Sequence, residues 1–286
     1  MVVKQFDLIG GDSSGDNFKG IIDDVRFYTY AQTQAQVSWD YNRGAPIAYW
    51  SFDECSSATA NDTAPKADRN STRYDGTITP GGAPNTAVGT CTSGDSAHMW
   101  YDGATGKRNA SLGFDGTDDY VVVTDNTSLS PAVVTISQWI YPTAAGSSGG
   151  DLATLWKGHI GSSTDQSYGF LWGDTQYVTF RIGGTASYDQ LLSSEPLSLN
   201  QWTHVLGTYD GSGLRLYING VLDDSKSTSI TSLKDTSQNL FIGASYTTAP
   251  FKFFTGLIDE TKIWNYPLTA QQVRDVYNEG AVHFGQ

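Results

Sequence analysis

The acid in this chain is almost wholly aspartate: of 30 acidic residues, only Glu54, Glu195, Glu260 and Glu279 are glutamates. A carboxylate on so short an arm is a poor helix former and suits turns, caps and hard-cation sites. Calcium gathers six to eight oxygens at about 2.3–2.6 Å from carboxylates, amides and backbone carbonyls. Carboxylates also drive glycoside hydrolysis, which needs two of them about 5–9.5 Å apart. No alternating Glu-x-Asp-x-Glu spacing occurs, and Asp118 and Asp119 are adjacent, which on a strand sends them to opposite faces. No Gly-x-Ser-x-Gly elbow precedes a helix either. Cation binding is therefore expected of these residues, and catalysis is not.

Sugar recognition by stacking needs aromatic rings outside the core. Trp100 and Tyr101 lie in the polar stretch AHMWYDG, Trp172 and Tyr177 flank a turn, and Tyr188 sits in another loop. Of these, Trp100, Trp172, Tyr177 and Tyr188 are the candidate ligand-binding residues. Trp50, Trp139, Trp202 and Trp264 stand in alternating segments, where packing is expected instead. Cys55 and Cys91 lie in loop-like sequence and are expected to form a disulfide, which fits an extracytoplasmic location and closes a loop worth roughly 3–4 kcal/mol. The other reading is two unpaired thiols. Zinc is not expected, because the four histidines show no ligand spacing.

The net charge of −13 comes with no basic cluster, which argues against nucleic acid and anionic membranes as partners. No apolar run approaches the roughly 18–20 residues of a membrane span. With 31 glycines, 16 tyrosines and only 16% charged residues, the composition predicts short strands and many tight turns.

Period-2 alternation dominates from residue 110 onward. ASLGFDGTDDYVVV reads as two strands joined at Asp115-Gly116, and VTISQWIYP as a strand stopped by Pro142. SYGFLWGDTQYVTFRIGG predicts a hairpin around Gly173-Asp174. WTHVLGTYDGSGLRLYINGVLDD predicts another at Asp210-Gly211, with a return strand after Asn219-Gly220. NLFIGAS and FFTGLIDETKIWN complete the set. Thr269 with Gln272 is a capping box, and Gly280 a stop, for the helix after them.

That closing segment occurs twice. Residues 18–44 align with 254–280 without a gap and share eleven identities, among them Gly20/Gly256, Asp23/Asp259, Thr33/Thr269 and Asn42/Asn278. An offset of 236 residues is too long for a solenoid and fits a whole domain recurring. Residues 1–44 are therefore expected to be the C-terminal strands and helix of a preceding unit, and residues 45–286 a complete domain. Neighbouring domains of the same kind are then expected partners.

IAYWSFDE (47–54), LGFDGTDDYVVV (112–123), VTISQWIYP (134–142), LNQWTHVLGTYDGSGLRLYINGVL (199–222) and FTGLIDETKIWNYPLTAQQV (254–273) together resemble the bacterial laminin-G-like domains of concanavalin A-like fold. The resemblance implies an all-β, two-sheet antiparallel jelly-roll sandwich with a short C-terminal helix. It also implies a structural calcium (Ca2+) where the first and last strands meet. The family carries an aspartate in a loop after the first strand. That loop here spans 53–77, and counting from its two ends lands on Asp62 or Asp68. Asp53, Asp62, Asp68 and Asp259 are the candidate metal ligands. The expected role is a non-catalytic adhesion or carbohydrate-binding module, secreted or on the cell surface, with a glycan or a cell-surface protein as partner. A spacer without a ligand is the alternative, and a glycoside hydrolase the distant one.

Overall fold

The computed structural model describes residues 9–11, 17–23, 25–65, 72–92, 96–100, 105–146 and 151–279. The chain forms two compact units, residues 1–33 and 34–286. In the first, Gly11 and Asn17 form an isolated antiparallel bridge, and the described residues contain no helix or multi-residue strand. Phe18, Ile21, Ile22, Val25 and Phe27 are exposed there.

The second unit opens with α1 (Gln34–Asn42), β1 (Ala48–Trp50), β2 (Thr59–Ala60), β3 (Gly76–Thr79), β4 (Leu112–Asp115) and β5 (Tyr120–Val123). It continues with β6 (Val134–Pro142), β7 (Leu152–Gly158), β8 (Gln166–Trp172), β9 (Val178–Gly183), β10 (Tyr188–Leu192) and β11 (Thr203–Tyr209). It ends with β12 (Gly213–Ile218), β13 (Val221–Ser227), β14 (Leu240–Ile242), β15 (Ser245–Tyr246), β16 (Pro250–Phe251), β17 (Thr255–Trp264) and α2 (Ala270–Tyr277). Two antiparallel sheets result. One has seven strands in the order β1-β17-β6-β11-β12-β13, with β4 also on β17; the other has eight in the order β10-β9-β8-β7-β14-β5-β3-β2. This is the jelly-roll sandwich that the motifs imply.

The predicted hairpins appear as β8–β9 and β11–β12–β13. The turn at Asp115-Gly116 does something different: β4 pairs with β17, whereas β5 pairs with β3 and β14, so this turn carries the chain from one sheet to the other. β7 carries no alternation, because all seven of its residues are buried; LATLWKG packs on both faces.

The core lies between the sheets, from Ile136 and Ile140 on β6 to Phe170 on β8 and Phe180 on β9. A polar bridge crosses it. Gln138 donates to the Thr154 carbonyl and to Thr261 Oγ1, and Thr154 Oγ1 donates back to Gln138 Oε1 at 2.8 Å. Satisfied in this way, buried amides and hydroxyls fix sheet register instead of costing several kcal/mol. Outside the seven-stranded sheet, α2 places Val273 against Leu206, Tyr217 and Trp264. Its predicted capping box is present. Gly280 lies outside the described residues.

Beside α2, His204 is buried. Its Nε2 lies 2.8 Å from Ser137 Oγ, and Trp139 and Tyr277 pack on its ring. Burial, reinforced by the positive charges of Lys262, Arg108 and Lys107, lowers its pKa to about 3. An unfolded histidine titrates near ~6.5, so between these values the unfolded chain holds the extra proton. Stability contributed by neutral His204 is present above about pH 6.5 and is lost as pH falls through this window. His204→Gln is expected to flatten the decline in Tm between pH 7 and 4 measured by thermal scanning. An unaltered slope would show that His204 titrates like an exposed imidazole.

Candidate functional site

The ladder of β17 has a break on one edge. There β4 pairs with Thr255 to Ile258, and β1 pairs with Thr261 to Ile263. Asp259 and Glu260 fall between them, at a register shift in the pairing of β17 with β6. Glu260 has φ 53°, the left-handed region, and so do Phe52 (53°) just after β1 and Asn109 (51°) just before β4. Three non-glycine residues in this region mark backbone held by its surroundings.

Residues 108–110 fill the break. Arg108 N donates to Asp259 Oδ2 at 2.9 Å, Ala110 N to Asp53 Oδ1 at 3.1 Å, and Asn109 Nδ2 to Asp53 Oδ2 at 3.3 Å. Asp259 Oδ1 is buried with no partner among the described residues. Burial pushes the Asp259 carboxyl up to about 8, with Glu260 and Asp53 adding repulsion against the Arg108 hydrogen bond. Glu260 is held otherwise: Tyr49 OH donates to both its oxygens, and Lys262 Nζ lies 3.0 Å from Oε2. Lys262 also pairs with Glu279. An orphaned buried carboxylate oxygen with a second carboxylate close by fits a hard cation in donor type and charge. Asp53 and Asp259 are the sequence-predicted ligands that the fold brings together.

Asp62 is a correction. It is buried in an isolated bridge with Trp50; Oδ1 accepts from Tyr49 N and Ala64 N, and Oδ2 accepts from Tyr74 N. A carboxylate given to three backbone donors ties a loop to β1 and is not a free ligand. Asp68 lies outside the described residues. Cys55 and Cys91 form a disulfide with Cα atoms 4.9 Å apart, anchoring the chain that follows Asp53.

The adjacency argument for Asp118 and Asp119 also fails, because neither lies on a strand. Both carboxylates turn to one loop: Gly82 N donates to Asp118 Oδ2, and Gly81 N to Asp119 Oδ1. With Asp115, one oxygen from each lies within 4.8 Å of the others. Burial raises the Asp119 carboxyl to about 6, although Asp115 N, Asn85 Nδ2 and Gly81 N all donate to it.

Two of the four candidate aromatics are corrected by burial. Trp100 donates from Nε1 to the Ser57 carbonyl and Trp172 to the Ala144 carbonyl; both are fully buried and offer no ring face to a ligand. Tyr177 is half-buried, and Tyr188 is 48% exposed. Tyr188 stands on the outer face of the eight-stranded sheet, with the Arg181 guanidinium 4.6 Å from its ring centroid. Arg181 also lies 5.9 Å from the buried Trp156 ring, and its Nε donates to Gln190 Oε1 at 2.8 Å. Sequence reasoning missed Arg181, Trp156 and Gln190. The only signal was the odd-numbered position of Arg181 in VTFRIG, opposite in phase to the core-facing Phe180 and Ile182.

Residues 115–274 match the laminin-G model of the concanavalin A-like lectin/glucanases superfamily, and the chain belongs to that family. The fold is similar to domain 4 of AbnA, an extracellular GH43 arabinanase of Geobacillus stearothermophilus solved with arabinotriose, at TM-score 0.55 and 19% identity, covering 82% of this chain and 98% of that one. It is also similar to the botulinum neurotoxin serotype D binding domain, at TM-score 0.56 and 16% identity, covering 85% of this chain and 53% of that one. The binding domain of Paraclostridial mosquitocidal protein 1 is similar at TM-score 0.52 and 18% identity, over 61% of this chain. The chain spans 44% of that domain's length. No curated protein matches significantly.

Asp62→Ala strands three backbone N–H groups, each costing about 1–3 kcal/mol when left unpaired. The expected fall in Tm is about 6 °C or more, and equal in calcium and in EDTA. A loss seen only in calcium would return Asp62 to the metal site.

Proposed function

We propose that this chain is a non-catalytic glycan-binding module of an extracellular protein, stabilised by calcium between Asp53 and Asp259. The observation that carries the binding role is the Tyr188 ring, exposed on a sheet face and backed by a cation and a buried indole. Sugars are recognised by an aromatic face with polar groups fixed around it. Membership of a lectin/glucanase family supports this reading, as does the likeness to an arabinanase domain solved with arabinotriose. A hydrolase is disfavoured, because the oxygens of both close carboxylate groups are largely committed to backbone N–H donors. No described helix is long and apolar enough to cross a membrane.

When bound, calcium supplies positive charge to two carboxylates that otherwise repel. Asp53 and Asp259 hold it, and Arg108 and Asn109 position them. A cation that binds only the folded state at 100 times its Kd adds about 2.7 kcal/mol. Calorimetric titration against a glycan panel, run with calcium and with EDTA, tests both parts. A saturable glycan isotherm and a Tm several degrees higher in calcium are expected. Flat isotherms throughout would end the glycan reading, and a Tm that ignores EDTA would end the calcium reading.

We further propose that residues 18–44 are a partial second copy of β17 and α2. Under the alignment α1 and α2 begin at the same position, Gln34 against Ala270, while residues 19–28, opposite β17, form no strand among the described residues. A β17-like segment needs flanking strands, and those of residues 45–286 are taken. Deleting residues 1–33 is expected to leave a folded monomer whose melting is unchanged within about 2 °C. Unfolding of the remainder would make the first segment part of the domain core.

A further inference from the structure

One rung crosses the eight-stranded sheet from edge to centre: Gln190 pairs with Arg181, Arg181 with Gly169, and Gly169 with Trp156. All four point away from the core, because their strand neighbours Leu191, Phe180, Ile182, Tyr168 and Phe170 are core residues. Gly169 leaves a gap in this row that the indole fills: a Cβ there would meet Trp156 Cε3 at 2.5 Å. The Arg181 guanidinium lies over Trp156 and under Tyr188. Among the described residues only its Nε is committed, to Gln190 Oε1, which leaves both terminal nitrogens and the Gln190 NH2 group available.

Among the described residues, neither Arg181 nor Lys252 has a carboxylate within the 4.0 Å of an ion pair, unlike Arg108, Lys157, Arg215, Lys226 and Lys262. Both are half-buried. Lys252 follows Phe251, its Nζ lies 5.8 Å from that ring's centroid, and its carbonyl accepts from Ala153 N on β7, the strand that carries Trp156. Burial lowers the pKa of both cations. The Arg181 charge lowers Lys252 further, and Asp151 partly offsets both. A protein of net charge −13 thus keeps two cations partly desolvated and without an ion-pair partner among the described residues, with Arg181 beside the exposed Tyr188 ring. The Trp156 N–H beneath them is also buried without a partner among the described residues.

We propose that Arg181, Lys252 and Gln190 form a subsite for the carboxylate of an acidic sugar, with Tyr188 stacked on its ring. The planar guanidinium offers two parallel N–H donors in the geometry a carboxylate accepts. Lys252 adds charge and Gln190 a neutral donor, and the sugar's apolar face takes the Tyr188 ring. The subsite deepens the glycan-binding reading above and rests on it. Hexuronates and sialic acids share this carboxylate chemistry, so both serve as probes.

The test is calorimetric titration of the full chain with trigalacturonate, 3′-sialyllactose and neutral arabinotriose, repeated with Arg181→Gln and Lys252→Gln. At least one acidic sugar is expected to bind more tightly than arabinotriose. Raising salt should weaken that binding, and each variant should lose about tenfold or more in affinity for the acid. Lys252→Gln lies outside the strand ladder and serves as the second variant if Arg181→Gln lowers Tm. Arabinotriose binding that equals or exceeds that of the acids, unchanged in both variants, overturns the subsite and leaves the glycan-binding reading standing. No binding of any of the three overturns the subsite, and the full glycan panel then decides the broader reading.

Discussion

Between Ile258 and Thr261 the central strand β17 loses its neighbour on one edge, since β4 ends there and β1 has not begun. Two acidic residues occupy the gap, and both are buried. Buried carboxylates are tolerated only when paired or hydrogen-bonded, because desolvating each one unaided costs several kcal/mol. The surrounding chain follows from that demand. Residues 108–110 fold back to give Asp259 and Asp53 their N–H donors, with Asn109 in a left-handed conformation to do so. Glu260 takes the other direction and is met by Tyr49 and Lys262. One carboxylate oxygen, Asp259 Oδ1, remains without a partner among the described residues at this joint between strands.

Other buried polar groups complete structural networks. Gln138, Thr154 and Thr261 complete one another between the sheets, and Lys157 is enclosed by Asp125 and the carbonyls of Thr236 and Gln238. Networks closed in this way specify register and leave nothing to offer a ligand. Arg181 and Lys252 contrast with them. Neither has an ion-pair partner among the described residues, and Arg181 lies on a sheet face beside the exposed Tyr188 ring.

The family and the solved neighbours fix the sandwich and leave its use open, because one jelly roll carries many functions on different loops and faces. In this chain the unpartnered Asp259 oxygen and the Arg181 donors lie on opposite sheets. The break lies in the seven-stranded sheet and the Arg181 rung in the eight-stranded one. The ion and the ligand proposed here would therefore not compete for the same residues.

The motifs at 47–54, 112–123, 134–142, 199–222 and 254–273 were enough to determine the fold. Alternation and turn chemistry are local properties and placed most strands after β5, although β7, β8 and β11 are buried along their whole length and show no alternation of burial. The meeting of Asp53 with Asp259 was legible too, since the first and last strands of such a sandwich are neighbours. The fate of single side chains was not. Trp100 and Trp172 sit in polar stretches yet are buried, and Asp62 looks like a ligand yet is consumed by three backbone donors. Arg181, Gln190 and Trp156 come from three strands that only sheet register aligns. The repeated segment makes the same division within one molecule. A helix forms at 34–42 as it does at 270–277, because i to i−4 bonds are internal to a helix. Among the described residues a strand forms at 255–264 and not at 19–28, because β4, β1 and β6 take up there the backbone hydrogen bonds that a strand cannot satisfy by itself.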